Sequence, residues 1–270
     1  MNRIRLFVID PQNDFMDIAG AALPVPGANA DMVRLAEFVK TMALSIDDLI
    51  VTLDSHASVG IERTTFWMHA DGAAVSPFMQ IVAKDVEVGR YLPRKASLRT
   101  RVIEYLRSLE AGGERTLIVW PVHCVLGTWG HNLQGQLAQS IADWEYVTGR
   151  ACEKVLKGLN PMTEQYSAFR AEVPSPDDPR TQNNLALMAR LQQGSDWLVV
   201  GGEALSHCVA ASGEDMFSQM SPDRIAKTIF LSDCMSPVTG FEAAGKDFLD
   251  KAQGHGALVM PSQDAISHLR

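Results

Sequence analysis

The sequence predicts an α/β protein, a single domain of three αβα layers with a largely parallel β-sheet. Three observations carry this expectation. Short β-branched apolar runs alternate with amphipathic helical segments, several of the runs end at a carboxylate or a glycine, and no repeat or low-complexity tract interrupts the pattern. With 270 residues, 46% hydrophobic and 21% charged, the chain is long enough to bury a large core.

The run from Ile4 to Asp10 is apolar and β-branched and is stopped by Pro11, so it reads as a buried strand that ends on a carboxylate. Apolar residues recur at helical spacing over 29–43, and a second strand is expected over 49–54, which completes a βαβ unit. Ser97 is the expected N-cap of a helix over 98–110, closed by Gly112 and Gly113, with a strand to follow at 116–120. A helix is expected over 133–145. Further strands at 153–157, 197–201, 228–232 and 257–260 alternate with helices near 182–193, 208–220 and 241–251. Pro174, Pro176 and Pro179 mark a loop, and the strands on its two sides read as members of one sheet.

A net charge of −8 excludes the basic surface that a nucleic-acid partner requires. The apolar run behind Arg3 and Arg5 is too short for a signal-peptide core or a membrane span, so no membrane partner is expected and the reading is cytoplasmic. Four scattered cysteines, Cys124, Cys152, Cys208 and Cys234, show neither zinc-ribbon spacing nor disulfide density, so reduced thiols are expected.

In an open parallel sheet, ligands bind beyond the carboxyl ends of the strands. Asp10, Asp54, His123, Lys157 and Cys208 all fall at or just past such ends. An unplaced cysteine is more often a buried, inert thiol. Cys208, however, follows the strand run Leu198-Val199-Val200-Gly201-Gly202 and is expected to open a helix, where free N–H groups and the macrodipole favour a thiolate.

These residues carry a family resemblance. Val8-Ile9-Asp10-Pro11-Gln12-Asn13-Asp14-Phe15 resembles the N-terminal signature of nicotinamidases, Asp54-Ser55-His56 their D-x-H metal motif, and Trp120-Pro121-Val122-His123-Cys124 with Gly127-Thr128 their W-P-x-H-C block. Lys157-Gly158 with Tyr166-Ser167-Ala168-Phe169 is similar to their K-G and Y-S-x-F segment, and 202–209 to their nucleophile turn. The five blocks occur in the family's order, which identifies the chain as a member of the nicotinamidase and isochorismatase-like superfamily of cysteine hydrolases, with the isochorismatase-like hydrolase fold over 1–270. The stretch 57–119 matches none of the blocks and reads as a long insertion.

The resemblance implies an amidase that turns nicotinamide or a similar small amide into the acid and ammonia through a Cys208 thioester, a reaction of NAD salvage. It makes Cys208 the nucleophile, Asp10 the proton shuttle and Lys157 the cation beside the thiolate. A thiol attacking an amide must lose a proton and then return one to a poor leaving group, which a carboxylate can do. Lys154, the competing lysine, lies earlier on the strand and on its other face.

An oxyanion hole from the N–H groups of Ala204 and Cys208 is also implied, with a cis bond before Ala204. Glu203 stands there in place of a small aliphatic residue. Asp54, His56 and His123 match the metal ligands, and the i, i+2 pair on an extended strand can reach one divalent ion: zinc first, with iron(II) or manganese also suited. Glu62 and His69 are conceivable further ligands, though each reads better as an exposed loop residue. Phe15 and Trp120 match the aromatics that hold a pyridine ring, and Trp129 stands where the family more often has proline and would reshape the pocket.

A related amidase acting on a different small amide is the alternative, favoured by the 57–119 stretch, Glu203 and Trp129. A catalytically silent ligand-binding member and the isochorismatase branch are disfavoured by the intact Cys208, Lys157 and Asp10. The expected partner is the small amide, and a homo-oligomer stays open.

Overall fold

Along Ile4–Ile9 the side chains divide by parity: Ile4, Leu6 and Val8 enter one hydrophobic cluster, Phe7 and Ile9 another. A strand buried on both faces requires that period of two. The computed structural model describes residues 2–112 and 116–270. Its strands in chain order are β1 (Ile4–Ile9), β2 (Ile46–Asp54), β3 (Trp67–His69), β4 (Gln80–Ile81), β5 (Tyr91–Pro93), β6 (Leu117–Ile118), β7 (Glu153–Lys157), β8 (Trp197–Gly202), β9 (Thr228–Leu231) and β10 (Leu258–Met260). The helices are α1 (Ala28–Thr41), α2 (Ala83–Glu87), α3 (Arg99–Ala111), α4 (Gly135–Thr148), α5 (Leu185–Gln192), α6 (Ala210–Gln219), α7 (Pro222–Ile225), α8 (Glu242–Gly254) and α9 (Ser262–Leu269).

Six strands form one parallel sheet in the order β10-β9-β8-β1-β2-β7. Leu35 and Phe38 of α1, Trp144 of α4 and Ile266 of α9 cover one face, while Leu191 of α5, Met216 of α6 and Phe248 of α8 cover the other. These are the three layers the alternating pattern predicts. From β1 the chain winds outward through β2 to β7, then returns to place β8 on the other side of β1. The direction of winding thus reverses between β1 and β8. At such a switch point the connections leave in opposite directions and open a crevice at the carboxyl ends.

The expected strand at 116–120 departs from this plan. Only Leu117–Ile118 is extended, and it pairs antiparallel with β4, outside the main sheet. Together with β3, β5, α2 and α3 it surrounds a separate hydrophobic cluster that includes Trp67, Ile81, Val102, Leu106 and Val119. Ser97 does not cap α3: it lies in a short 3-10 turn, Ala96–Leu98, and the helix starts at Arg99 after Leu98. The expected stop at Gly112 is met, while Gly113 lies outside the described residues. Among the described residues no helix is long and apolar enough to cross a membrane.

Candidate active site

Asp10 leaves the end of β1 with φ +43°, a left-handed conformation that a non-glycine residue adopts at a cost of about 1–3 kcal/mol. The surroundings hold it there. Its N–H donates to Thr52 Oγ1 at 3.0 Å, and the Thr52 hydroxyl donates back to Asp10 Oδ1 at 2.6 Å. Gln12 ties the same turn to the end of β2, its amide donating to the Asp54 carbonyl at 2.8 Å and accepting from the Asp54 N–H at 2.7 Å. On the other side, β8 approaches so closely that a Cβ on Gly202 would stand 2.0 Å from the Ile9 carbonyl oxygen, so only glycine fits.

Lys157, the last residue of β7, is the junction of the site. Its ammonium lies 2.9 Å from Asp10 Oδ2, 3.0 Å from Asp54 Oδ1, 3.1 Å from the Gln165 carbonyl and 3.5 Å from Cys208 Sγ. Burial opposes its charge, but Asp10, Asp54 and Cys208 hold the pKa well above the ordinary lysine value. Lys154 is exposed on the same strand and does not approach the site.

Cys208 lies in a five-residue π-helical turn, Leu205–Val209, that runs straight into α6. It is therefore in the first turn of the combined helix rather than at its first residue. Burial pushes its thiol well above the ordinary range, and Lys157 offsets part of that. Burial raises Cys124, Cys152 and Cys234 as well, so a raised thiol does not set Cys208 apart. Contact with Lys157 does. The Glu203-Ala204 peptide is cis. Burial also raises the Asp10 pKa, with the nearby Asp54 charge adding to it against the pull of Lys157.

Beyond Lys157, Asp54, His56 and His123 converge. The Asp54 Oδ2 atom is 2.7 Å from His56 Nε2 and 3.3 Å from His123 Nε2, and one ligand atom from each residue falls within 4.8 Å of the others. The opposite ring nitrogens are anchored: His56 Nδ1 contacts the Gly158 carbonyl at 3.1 Å and His123 Nδ1 the Pro121 carbonyl at 2.8 Å. A carbonyl can only accept, so each Nδ1 can donate there and leave its Nε2, which faces Asp54, to ligate an ion, the arrangement a metal-binding imidazole needs. These donors fit a divalent ion. Gly158, at φ +75°, lets His56 close, because a Cβ there would stand 2.6 Å from the His56 ring.

No family model matches the chain. Among curated proteins, the nicotinamidase of Saccharomyces cerevisiae is 27% identical over 207 residues, which span 77% of this chain and 78% of the yeast protein. A solved Acinetobacter baumanii nicotinamidase and pyrazinamidase superposes with a TM-score of 0.65 at 20% identity, covering 98% of this chain and 99% of that one. The pyrazinamidase of Pyrococcus horikoshii, solved in complex with zinc, gives a TM-score of 0.56 at 19% identity over 96% and 99% of the two chains. The chain is thus similar in sequence to a nicotinamidase and shares the fold of nicotinamidases and pyrazinamidases.

Phe15 and Trp120 both line a small pocket together with Asp54, His123 and Cys208. Trp129 does not shape that pocket: its side chain is half exposed and lies over Gly20. Glu62 is not an exposed loop residue. It is fully buried, paired with Arg63 at 2.8 Å, and its Oε1 lies 3.4 Å from His56 Nδ1. His69 is on β3 against the Tyr91 ring, away from the metal donors. Sequence reasoning assigned no role to five further pocket residues, the apolar Leu23 and Val238 and the polar Glu164, Tyr166 and His207. Tyr166 accepts a hydrogen bond from Trp120 Nε1 at 3.0 Å, and His207 packs edge-on to Trp120 with ring centroids 5.2 Å apart. The signal of the polar three was position, since Tyr166 lies in the Lys157 block, Glu164 two residues before it, and His207 precedes Cys208.

Proposed function

We propose that the chain hydrolyses nicotinamide, or a closely similar small aromatic amide, to the carboxylic acid and ammonia through a thioester on Cys208. The observation that carries this reading is the single buried contact set in which Lys157 touches Asp10, Asp54 and Cys208 at once. Similarity to nicotinamidases supports it. We take residues 1–270 as one hydrolase domain, with 57–119 as a long insertion in it.

In this reading Asp10 accepts the Cys208 proton as Sγ attacks the amide carbon, and its raised pKa suits a group that must both take and return a proton. Lys157 balances the negative charge passing between thiol and carboxylate. The backbone N–H groups of Ala204 and Cys208 receive the carbonyl oxygen as it becomes an oxyanion. When the tetrahedral adduct collapses, the C–N bond breaks and Asp10 returns the proton to the leaving ammonia. Asp10 then takes a proton from water, the resulting hydroxide attacks the thioester, and the C–S bond breaks to release the acid and restore the thiol. A divalent ion held by Asp54, His56 and His123 would supply a Lewis-acidic docking point for a ring nitrogen or carbonyl. The zinc of the Pyrococcus relative supports zinc, and iron(II) or manganese suit the same donors. Four unpaired thiols support a reducing, cytoplasmic setting.

Ammonia release from a panel of amides tests the proposal. Nicotinamide and pyrazinamide should be turned over and aliphatic amides far less. Release from none of the aromatic amides would overturn it.

A further inference from the structure

Glu203 occupies a place where a carboxylate is costly. It is fully buried, immediately ahead of the turn that carries Ala204 and Cys208, and a second buried carboxylate, Asp31 of α1, meets it side chain to side chain. One oxygen of each has a conventional partner. Glu203 Oε2 accepts the Ser236 N–H at 3.1 Å, Asp31 Oδ1 pairs with Arg34, and the Ser236 hydroxyl lies beside the Asp31 carboxyl. The other two, Glu203 Oε1 and Asp31 Oδ2, are buried with no hydrogen-bond donor. Two orphaned carboxylate oxygens belonging to one contacting pair are both satisfied by a single proton held between them.

The surrounding charge also demands a proton. Arg34 is shared with Asp233, at 3.8 Å, and Asp17 adds a further negative charge from the loop before α1. Cys234, from the segment after β9, is a further titratable group beside Asp31. One half-exposed guanidinium cannot neutralise all of these carboxylates. Burial and Asp31 together push Glu203 well above the usual carboxylic range, and burial raises Asp31 too.

Glu203 is also one rung of a ladder between the nucleophile turn and the segment 234–238. Gly202 N–H donates to the Cys234 carbonyl at 2.9 Å, Leu205 N–H to the Ser236 carbonyl at 2.8 Å, and Val238 N–H to the Ser206 hydroxyl at 3.0 Å. Ala204 and Val238, on either side of this ladder, both line the pocket.

We propose that Glu203 and Asp31 share one proton, and that this protonated pair is a positioning device which fixes the backbone turn carrying the Ala204 and Cys208 N–H groups. When the proton is lost, two adjacent buried negative charges repel and the turn loosens from α1. The effect on catalysis rests on the amidase reading; the shared proton does not.

The test therefore has an arm that needs no turnover. At neutral pH the infrared difference spectrum of wild type minus Glu203→Gln should show the carbonyl stretch of a protonated carboxylic acid. The wild-type melting temperature should also fall more steeply, as pH rises above the ordinary carboxylate range, than that of Glu203→Gln or Asp31→Asn, because either amide keeps the shape and donates without needing a proton. In the turnover arm, Glu203→Ala should lower kcat at least tenfold with little change in KM, and Glu203→Gln should restore most of it and flatten the alkaline limb. Absence of the carboxylic band, or superimposable stability profiles, would overturn the shared proton. If Glu203→Ala does not fold, the two isosteric variants still decide the question. An intact band with no turnover of any amide would sink the amidase reading and leave the pair standing.

Discussion

Asp54 and Lys157 join two sites through one carboxylate: Oδ1 holds the lysine ammonium at 3.0 Å while Oδ2 faces the imidazoles of His56 and His123. Opposing its burial, His56 and Lys157 keep the Asp54 carboxyl well below the usual range, so it is ionised wherever the protein is folded at neutral pH.

The shared carboxylate makes Asp54 variants distinguishable from those of the other metal ligands. The Asp54 charge raises the Cys208 thiol and Lys157 lowers it. In metal-free protein, Asp54→Asn should therefore move iodoacetamide labelling of Cys208 to lower pH, whereas His56→Ala should leave it in place. Equal profiles would show that Asp54 does not act on the thiol.

Removing the nucleophile should separate chemistry from folding. Cys208→Ala deletes one buried sulfur, which costs about 1 kcal/mol of stability, yet it closes the covalent route. Turnover should be undetectable with a melting temperature close to wild type. Residual activity above a small percentage would exclude the thioester.

Asp10 and Lys157 should respond differently to substitution. Asp10→Asn keeps the shape but cannot accept a proton, and acylation measured by rapid quench should fall by roughly two to four orders of magnitude. Lys157→Ala removes the cation that offsets burial at Cys208, so thiol labelling should shift to higher pH, and leaving Asp10 and Asp54 uncompensated should cost about 3–5 kcal/mol. Lys157→Arg should be impaired yet measurable, because the charge survives in a different shape.

Metal content is the fourth test. Elemental analysis of the purified protein should find about one divalent ion per chain, and His56→Ala or His123→Ala should lower occupancy sharply, since two remaining donors keep little chelate advantage. Full amidase activity in metal-free protein would remove the metal from the mechanism.

Much of this was legible in the sequence because β1, β8 and β9 are apolar runs, β2 becomes one towards its end, and the candidate site residues stand at or just past strand ends. Asp10, Asp54 and Lys157 stand where such runs stop, and strand ends are set by local chemistry. The 116–120 segment was misplaced because a strand of two residues has no periodicity, and its antiparallel partner Gln80–Ile81 carries no strand signal of its own. Glu62 read as a loop residue because neither the buried Arg63 guanidinium that pairs with it nor the His56 ring beside it leaves a trace in local polarity. Glu203 was visible as an odd residue in its motif. Its partner Asp31 was not, since a contact between distant parts of a chain has no local signature.

The main-sheet ladder of β7 runs along one side, against β2, which makes β7 the outermost strand of the sheet and leaves its Leu156 side chain nearly half exposed. The cation at the centre of the candidate site thus hangs from the rim of the fold. Peripheral strands open at lower free energy than the core they border. Warming should therefore detach Lys157 from Asp10 and Cys208 before the sheet melts, so that heat inactivation precedes global unfolding, with the amides of 153–157 exchanging with solvent ahead of those in 4–9.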